Sequence, residues 1–135
     1  MILQQNRSHS EVISAIAFND AGLVPAVAQQ HDTGEVLMLA WMNADSIRES
    51  LESGRVCYWS RSRQSLWRKG ETSGHVQRLI ELRFDCDRDA LLLLVDQTGP
   101  ACHTNRRSCF YHALRDDAVE VISSPIVDGM GGDES

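Results

Sequence analysis

Short runs of apolar residues, separated by turn residues, make up most of this chain. Leu23 to Gln30 reads as a strand, Asp32-Thr33-Gly34 as a turn and Glu35 to Trp41 as the return strand. Asn43 is placed to cap a short helix with Ile47 and Leu51 on its inner face, and Gly54 to end it. Val56 to Ser60 reads as a further strand. Ile80, Leu82 and Phe84 alternate with Glu81 and Arg83, the mark of a half-buried strand. Ala90 to Val95 is a continuous apolar run, short enough for a buried central strand, and Cys109 to Leu114 reads as the last one. The pattern predicts an α+β fold, mostly antiparallel β-sheet with few short helices.

Length and composition fit that picture. The chain has 135 residues, 42% hydrophobic and 24% charged, as expected of one ordinary globular domain. A chain of this size buries about two thirds of its unfolded surface and folds without disulfides. Residues 1–10 are polar and residues 128–135 are rich in glycine and acid, so both ends are expected to be flexible around a single domain over 11–127. No apolar run approaches a membrane span, and the first residues lack the apolar core of a signal peptide. A cytoplasmic setting follows, with no membrane partner. The four cysteines there are ligands, nucleophiles or buried apolar residues rather than disulfide partners. The net charge of −6 argues against nonspecific nucleic-acid binding.

The densest chemistry is Asp85-Cys86-Asp87-Arg88-Asp89. In an extended segment Asp85, Asp87 and Asp89 share one face, where a hard cation such as magnesium would relieve their repulsion. The alternative is a solvated acidic turn. Cys86 would face the other way. Cys102 and Cys109 lie further on, in Ala101-Cys-His-Thr-Asn-Arg-Arg-Ser-Cys-Phe110. Three thiolates can hold zinc and leave a fourth position open for water, although no Cys-x-x-Cys spacing is present. Three buried, inert cysteines are the competing reading. Cys57, between Val56 and Tyr58, reads as a buried small residue. His103 follows Cys102 and is best placed as a general base, with a fourth-ligand or structural role as alternatives.

From Ser53 to Gly70 there is no acidic residue, while Arg55, Arg61, Arg63, Arg68 and the chain's only lysine, Lys69, accompany Tyr58, Trp59 and Trp67. Guanidinium forks suit phosphate and aromatic faces suit a flat base. Glu71-Thr72-Ser73-Gly74 can add hydroxyls and backbone N–H groups. An exposed basic strand, or an RNA-binding face, would have the same composition.

Trp59-Ser-Arg-Ser-Arg63, Leu66-Trp67, Lys69-Gly-Glu-Thr-Ser-Gly74, Asp85-Cys-Asp-Arg-Asp89, Ala101-Cys-His-Thr104 and Ser108-Cys-Phe110 occur in that order, after Met38-Leu-Ala-Trp-Met-Asn43. Together they resemble phosphoribosyl-AMP cyclohydrolase over about Leu37 to Phe110. The resemblance implies hydrolysis of the N1–C6 bond of N1-(5-phosphoribosyl)-AMP in histidine biosynthesis. It implies zinc on Cys86, Cys102 and Cys109, magnesium on Asp85, Asp87 and Asp89, and a homodimer whose zinc ligands come from both chains. With it, Arg61, Arg63, Trp67, Lys69, Ser73 and Gly74 become candidate contacts to the nucleotide substrate, and His103 the candidate base. Asn105 stands where the family usually has glycine; asparagine is among the few residues that tolerate positive φ. Too few residues follow Phe110 for the fused pyrophosphohydrolase domain of some relatives. A nucleobase deaminase would need His-x-Glu followed by Pro-Cys-x-x-Cys, and the second half is absent.

Overall fold

The computed structural model describes residues 9–126. Of the end segments expected to be flexible, residues 1–8 and 128–135 lie outside the described residues, whereas His9 and Ser10 open a helix, α1 (His9–Ser14). Then follow β1 (Val24–Gln30), β2 (Val36–Met42), α2 (Ala44–Ser53), β3 (Cys57–Ser60), β4 (Ser65–Arg68), β5 (Gln77–Phe84), β6 (Leu91–Gln97), β7 (His112–Arg115) and β8 (Ala118–Val121).

Six strands form one sheet in the order β4-β3-β2-β1-β6-β5, and β7 and β8 form a separate hairpin. The sheet is mixed rather than purely antiparallel. The β1–β6 pair runs parallel, with Ala26 opposite Leu91 and Gln30 opposite Val95, while its other four pairings are antiparallel. Apolar alternation does not encode strand direction, so the parallel pair left no mark in the sequence pattern. Both strands of that pair bury alternate residues: Val24, Ala26 and Ala28 on β1, and Leu91, Leu93 and Val95 on β6.

Asn43 caps α2 as expected. Its side chain accepts from the Ser46 N–H at 2.8 Å, and the Ser46 hydroxyl lies 2.9 Å from the Asn43 N–H to complete a capping box. Gly54 closes the helix at φ 79°, with its N–H on the Ser50 carbonyl. Ile47 is fully buried and Leu51 packs at the margin of the core.

Four local expectations are corrected. The alternation of Ile80, Leu82 and Phe84 does not mark the buried side of β5: the register shifts between Leu79 and Glu81, so Leu79 and Leu82 pack against the core while Ile80 and Phe84 lie exposed. The strand expected from Cys109 begins at His112 and is not the last, because the Ser108 hydroxyl takes up the Phe110 N–H and the Cys109 N–H bonds to the Leu37 carbonyl. Its partner β8 and the short β4 were not expected, since Ser65–Arg68 is too brief and too charged to show alternation. Asp85 to Asp89 is a turn rather than an extended segment.

Candidate functional site

The acidic turn joins β5 to β6, which pair from Phe84–Leu91 onward. Arg88 reverses the chain at φ 63°, a conformation that no strand contains. The Asp85 N–H bonds the Ala90 carbonyl at 3.1 Å, and the Asp85 carboxylate accepts from the N–H groups of Asp89 and Ala90 at 3.0 and 3.2 Å. The turn, rather than strand alternation, is what gathers the carboxylates: one oxygen from each of Asp85, Asp87 and Asp89 lies within 4.8 Å of the others. This exposed cluster can hold a cation. The electrostatics agree. Hydrogen bonding with Asp87 and Asp85, and their negative charge, push Asp89 up to about 6. Partial desolvation acts to raise Asp85, but hydrogen bonds from Asp89 and from backbone N–H groups outweigh it and hold Asp85 below its ordinary value.

The cysteines divide into two groups. Cys102 is buried and Cys109 half-buried, and each is the other's electrostatic and hydrogen-bonding neighbour. Burial first, and Cys102 second, push Cys109 up to about 12. Cys86 sits exposed on the acidic turn. Among the described residues the one group of three potential metal ligands drawn close together is the aspartate triplet, so a single chain does not assemble Cys86 with Cys102 and Cys109. Cys57 is buried as expected. Desolvation, followed by the charge of Glu49, lifts it to about 12 and keeps it inert.

A tight loop presents the cysteine pair. Ala101 and Cys102 donate to the carbonyls of Arg107 and Arg106, both at 3.1 Å, and the Asn105 N–H returns to Cys102 at 3.0 Å. Asn105 takes φ 66° and is buried, so it adopts the left-handed turn that asparagine was expected to tolerate at this position. The Thr104 hydroxyl lies 3.1 Å from the Cys102 sulfur, and His103 projects into solvent at the loop's tip. Arg107 braces the loop from behind. Its guanidinium donates to Gln97 and Gly99 carbonyls at 2.9 and 2.8 Å and to Gln30 Oε1 at 2.8 Å. Sequence reasoning passed over Arg107, which also pairs with Glu35 at 3.5 Å; its position between two cysteines, with no acidic residue beside it in the sequence, was the available signal.

The cationic stretch is likewise split. Arg61 and Arg63 are exposed in the β3–β4 turn, Arg61 resting 4.7 Å from the Trp41 ring centroid and Arg63 held by the Ser60 hydroxyl. Trp41 lies opposite Trp59 across β2 and β3, and with Leu39, Arg61 and Trp67 they line an open groove. Trp41 was read only as part of a motif; its register against Trp59 makes it a wall of that groove. Trp67 packs at 5.4 Å on Tyr58, and its buried indole N–H has no hydrogen-bond partner. The Ser73 hydroxyl accepts from the His75 N–H at 3.1 Å, and Gly74, at φ 85°, has open space where a side chain would project. Lys69 is not with the exposed arginines: it is buried, and its ammonium donates to the Ala101 carbonyl.

Comparison with known proteins places this arrangement. The model of the family "Phosphoribosyl-AMP cyclohydrolase" matches residues 38–111. A protein named phosphoribosyl-AMP cyclohydrolase 2 from Pseudomonas fluorescens is 68% identical over 117 residues, covering 87% of this chain and 80% of its own length. Proteins named phosphoribosyl-AMP cyclohydrolase are 67% identical in Alkalilimnicola ehrlichii, covering 87% of this chain and 82% of that one, and in Cereibacter sphaeroides, covering 84% and 96%.

Proposed function

The chain belongs to the phosphoribosyl-AMP cyclohydrolase family, and on that premise we propose that it hydrolyses the N1–C6 bond of N1-(5-phosphoribosyl)-AMP in the cytoplasm, as a homodimer using zinc and magnesium. The observation that carries the metal reading is the division of the cysteines: two sheltered thiols beside an exposed histidine, with the third on a separate exposed turn.

Soft sulfur donors in a sheltered loop fit zinc, and clustered carboxylate oxygens fit magnesium. Cys102 and Cys109 of one chain with Cys86 of a second would complete the zinc ligands, and Asp85, Asp87 and Asp89 would hold magnesium. Exposed apolar side chains support a dimer: Phe110 is 55% and Leu114 73% exposed, and Val119, Val121, Ile122 and Ile126 also lie bare. A small monomer rarely leaves so many large apolar groups in water. Among the described residues no helix is long and apolar enough to cross a membrane.

When bound, zinc supplies a Lewis acid that acidifies water, and magnesium supplies countercharge for phosphate. The residues of the chain do the rest. His103, in solvent beside Cys102, accepts a proton from the water whose oxygen adds to C6. As the C6–N1 bond breaks, its electron pair goes to N1, which takes up the proton from His103; the added oxygen then loses its remaining proton to solvent as its electron pair closes the C=O bond, leaving C6 as a carboxamide carbon. Arg61 and Arg63 reach outward to bind phosphate, Trp67 borders the substrate from the groove it lines with Arg61, and the open Ser73-Gly74 segment adds a further contact.

The test is turnover of phosphoribosyl-AMP by the metal-loaded protein, followed by the ultraviolet change on ring opening. His103→Ala should retain zinc and lose about a hundredfold to ten-thousandfold in kcat. Near-normal turnover by that variant would remove His103 as the base, and no turnover by the metal-loaded native protein would reject the reaction.

A further inference from the structure

Arg61 and Arg63 leave the turn between β3 and β4, and Arg68 ends β4. Their guanidinium groups are occupied in different ways. Arg68 is taken by Glu49, with Nε and Nη2 both on its carboxylate. Arg63 turns its Nε to the Ser60 hydroxyl at 3.4 Å. Arg61 meets an aromatic ring instead: its guanidinium carbon stands 4.7 Å from the Trp41 ring centroid. Among the described residues no carboxylate forms an ion pair with Arg61. An aromatic face attracts the cation without accepting its in-plane N–H groups, so those donors stay available to an incoming anion.

The ring itself is fixed. Trp41 stands opposite Trp59 across β2 and β3, and Trp59 opposite Leu66 across β3 and β4. Residues opposite one another share a face of the sheet, so the three form an apolar stripe across three strands. The backbone that carries Arg61 is fixed as well. The Gln64 side-chain amide donates to the Arg61 carbonyl at 2.7 Å, and the Ser60 hydroxyl accepts from the Arg63 N–H at 3.2 Å. What is left free is the long Arg61 side chain, which loses rotamer freedom when it binds an anion. Contact with a fixed ring removes part of that freedom beforehand, and a group ordered in advance binds more tightly. Trp41 and Arg61 both line the open groove of about 340 Å³, so the guanidinium is held where a ligand in the groove can reach it.

We propose that Trp41 is a positioning residue for Arg61: its indole face holds the guanidinium at the groove with its donors free, and so raises affinity for a substrate phosphate. This rests on the reading of Arg61 as a phosphate ligand.

The experiment is a double-mutant cycle on the metal-loaded protein, with KM and kcat for phosphoribosyl-AMP measured on native protein, Trp41→Leu, Trp41→Phe, Arg61→Gln and the combination of Trp41→Leu with Arg61→Gln. Arg61→Gln should raise KM about tenfold or more, the scale of a lost charge-assisted hydrogen bond. Trp41→Leu should raise KM about twofold to fivefold, the scale of an exposed cation–π contact, and leave kcat within about twofold of native. Trp41→Phe keeps an aromatic face and should recover most of that loss. Once Arg61 is replaced, Trp41→Leu should add no more than about 1.5-fold. A cooperative thermal transition identifies the folded variants, and Trp41→Met takes the place of Trp41→Leu if leucine is not tolerated. An unchanged KM in the Trp41 variant would overturn the inference. The same rise with and without Arg61 would also overturn it and place the indole on the substrate itself. An unchanged KM in Arg61→Gln would instead remove the reading beneath it.

Discussion

The acidic turn and the cysteine loop handle charge in opposite ways. The first gathers three carboxylates within a single chain, in water, by backbone hydrogen bonds and by hydrogen bonding among the carboxyl groups. Solvent and a shared proton relieve the repulsion, so the turn is complete before any cation arrives. The second hides two thiols, sets a buried lysine beneath them and leaves the third cysteine elsewhere. Exposed carboxylates can be collected by a short local turn, whereas the sheltered thiols need distant parts of the fold around them and, on the reading proposed here, a second chain. The first region should therefore behave as an independent local site and the second as a cooperative product of fold and assembly.

The largest expected effect separates the two directly. Cys109→Ser should lose zinc from the protein, measured by metal analysis, and about a hundredfold or more in turnover, while magnesium binding measured by calorimetry stays within about twofold of native. Loss of magnesium binding in the same variant would show that the two regions are not independent. A smaller effect falls on the scaffold of the second region. At Gly70, φ is 80° and an added Cβ would lie 2.4 to 2.5 Å from His75 and Val76 backbone atoms. Gly70→Ala should cost about 3 kcal/mol of stability, from backbone strain and overpacking, with Tm lowered by about 10 °C. An unchanged Tm would mean that the Lys69–Gly70 segment is not held as described.

The smallest effect concerns pH and the first region. Asp89 is raised to about 6 from an ordinary value of 3.8, so between those limits the folded chain holds a proton that the unfolded chain has released. In the metal-free protein its contribution to stability is present below 3.8 and is lost as pH rises through about 6. Asp85, held below its ordinary value, has the opposite sign, its contribution being lost only as pH falls through that lowered pKa. A cation competes with the shared proton, so calorimetric magnesium affinity should rise as pH passes about 6 and then level. Affinity that stays flat across that range would contradict the shared-proton account.

Much of this was legible in the sequence, for a physical reason: the signals that could be read are local. The cap at Asn43, the glycine stop at Gly54 and the inward face of Ile47 are written in neighbouring residues. The chemistry was read from residue types and motif order. What stayed hidden depends on contacts between distant segments. The parallel β1–β6 pair joins strands some sixty positions apart, and nothing in either run states direction. The aspartates were gathered in sequence by strand alternation and in the structure by the Arg88 turn, since a residue other than glycine at positive φ is seldom signalled. Lys69 shows the limit most clearly. The arginines that share its stretch, Arg61, Arg63 and Arg68, are exposed, while Lys69 itself is buried with its ammonium on the Ala101 carbonyl.

The central claim is that the zinc ligands come from two chains, and subunit mixing tests it most directly. Cys86→Ser and Cys109→Ser proteins, each inactive alone, would be unfolded together, refolded with zinc and assayed for turnover of phosphoribosyl-AMP. In a symmetric dimer the mixed species regains one intact site, Cys86 from one chain and Cys102 with Cys109 from the other, so the mixture should recover about a quarter of native activity. Native protein carried through the same steps sets the scale. If all three ligands belonged to one chain, neither subunit could supply a whole site and the mixture would stay as inactive as its parts.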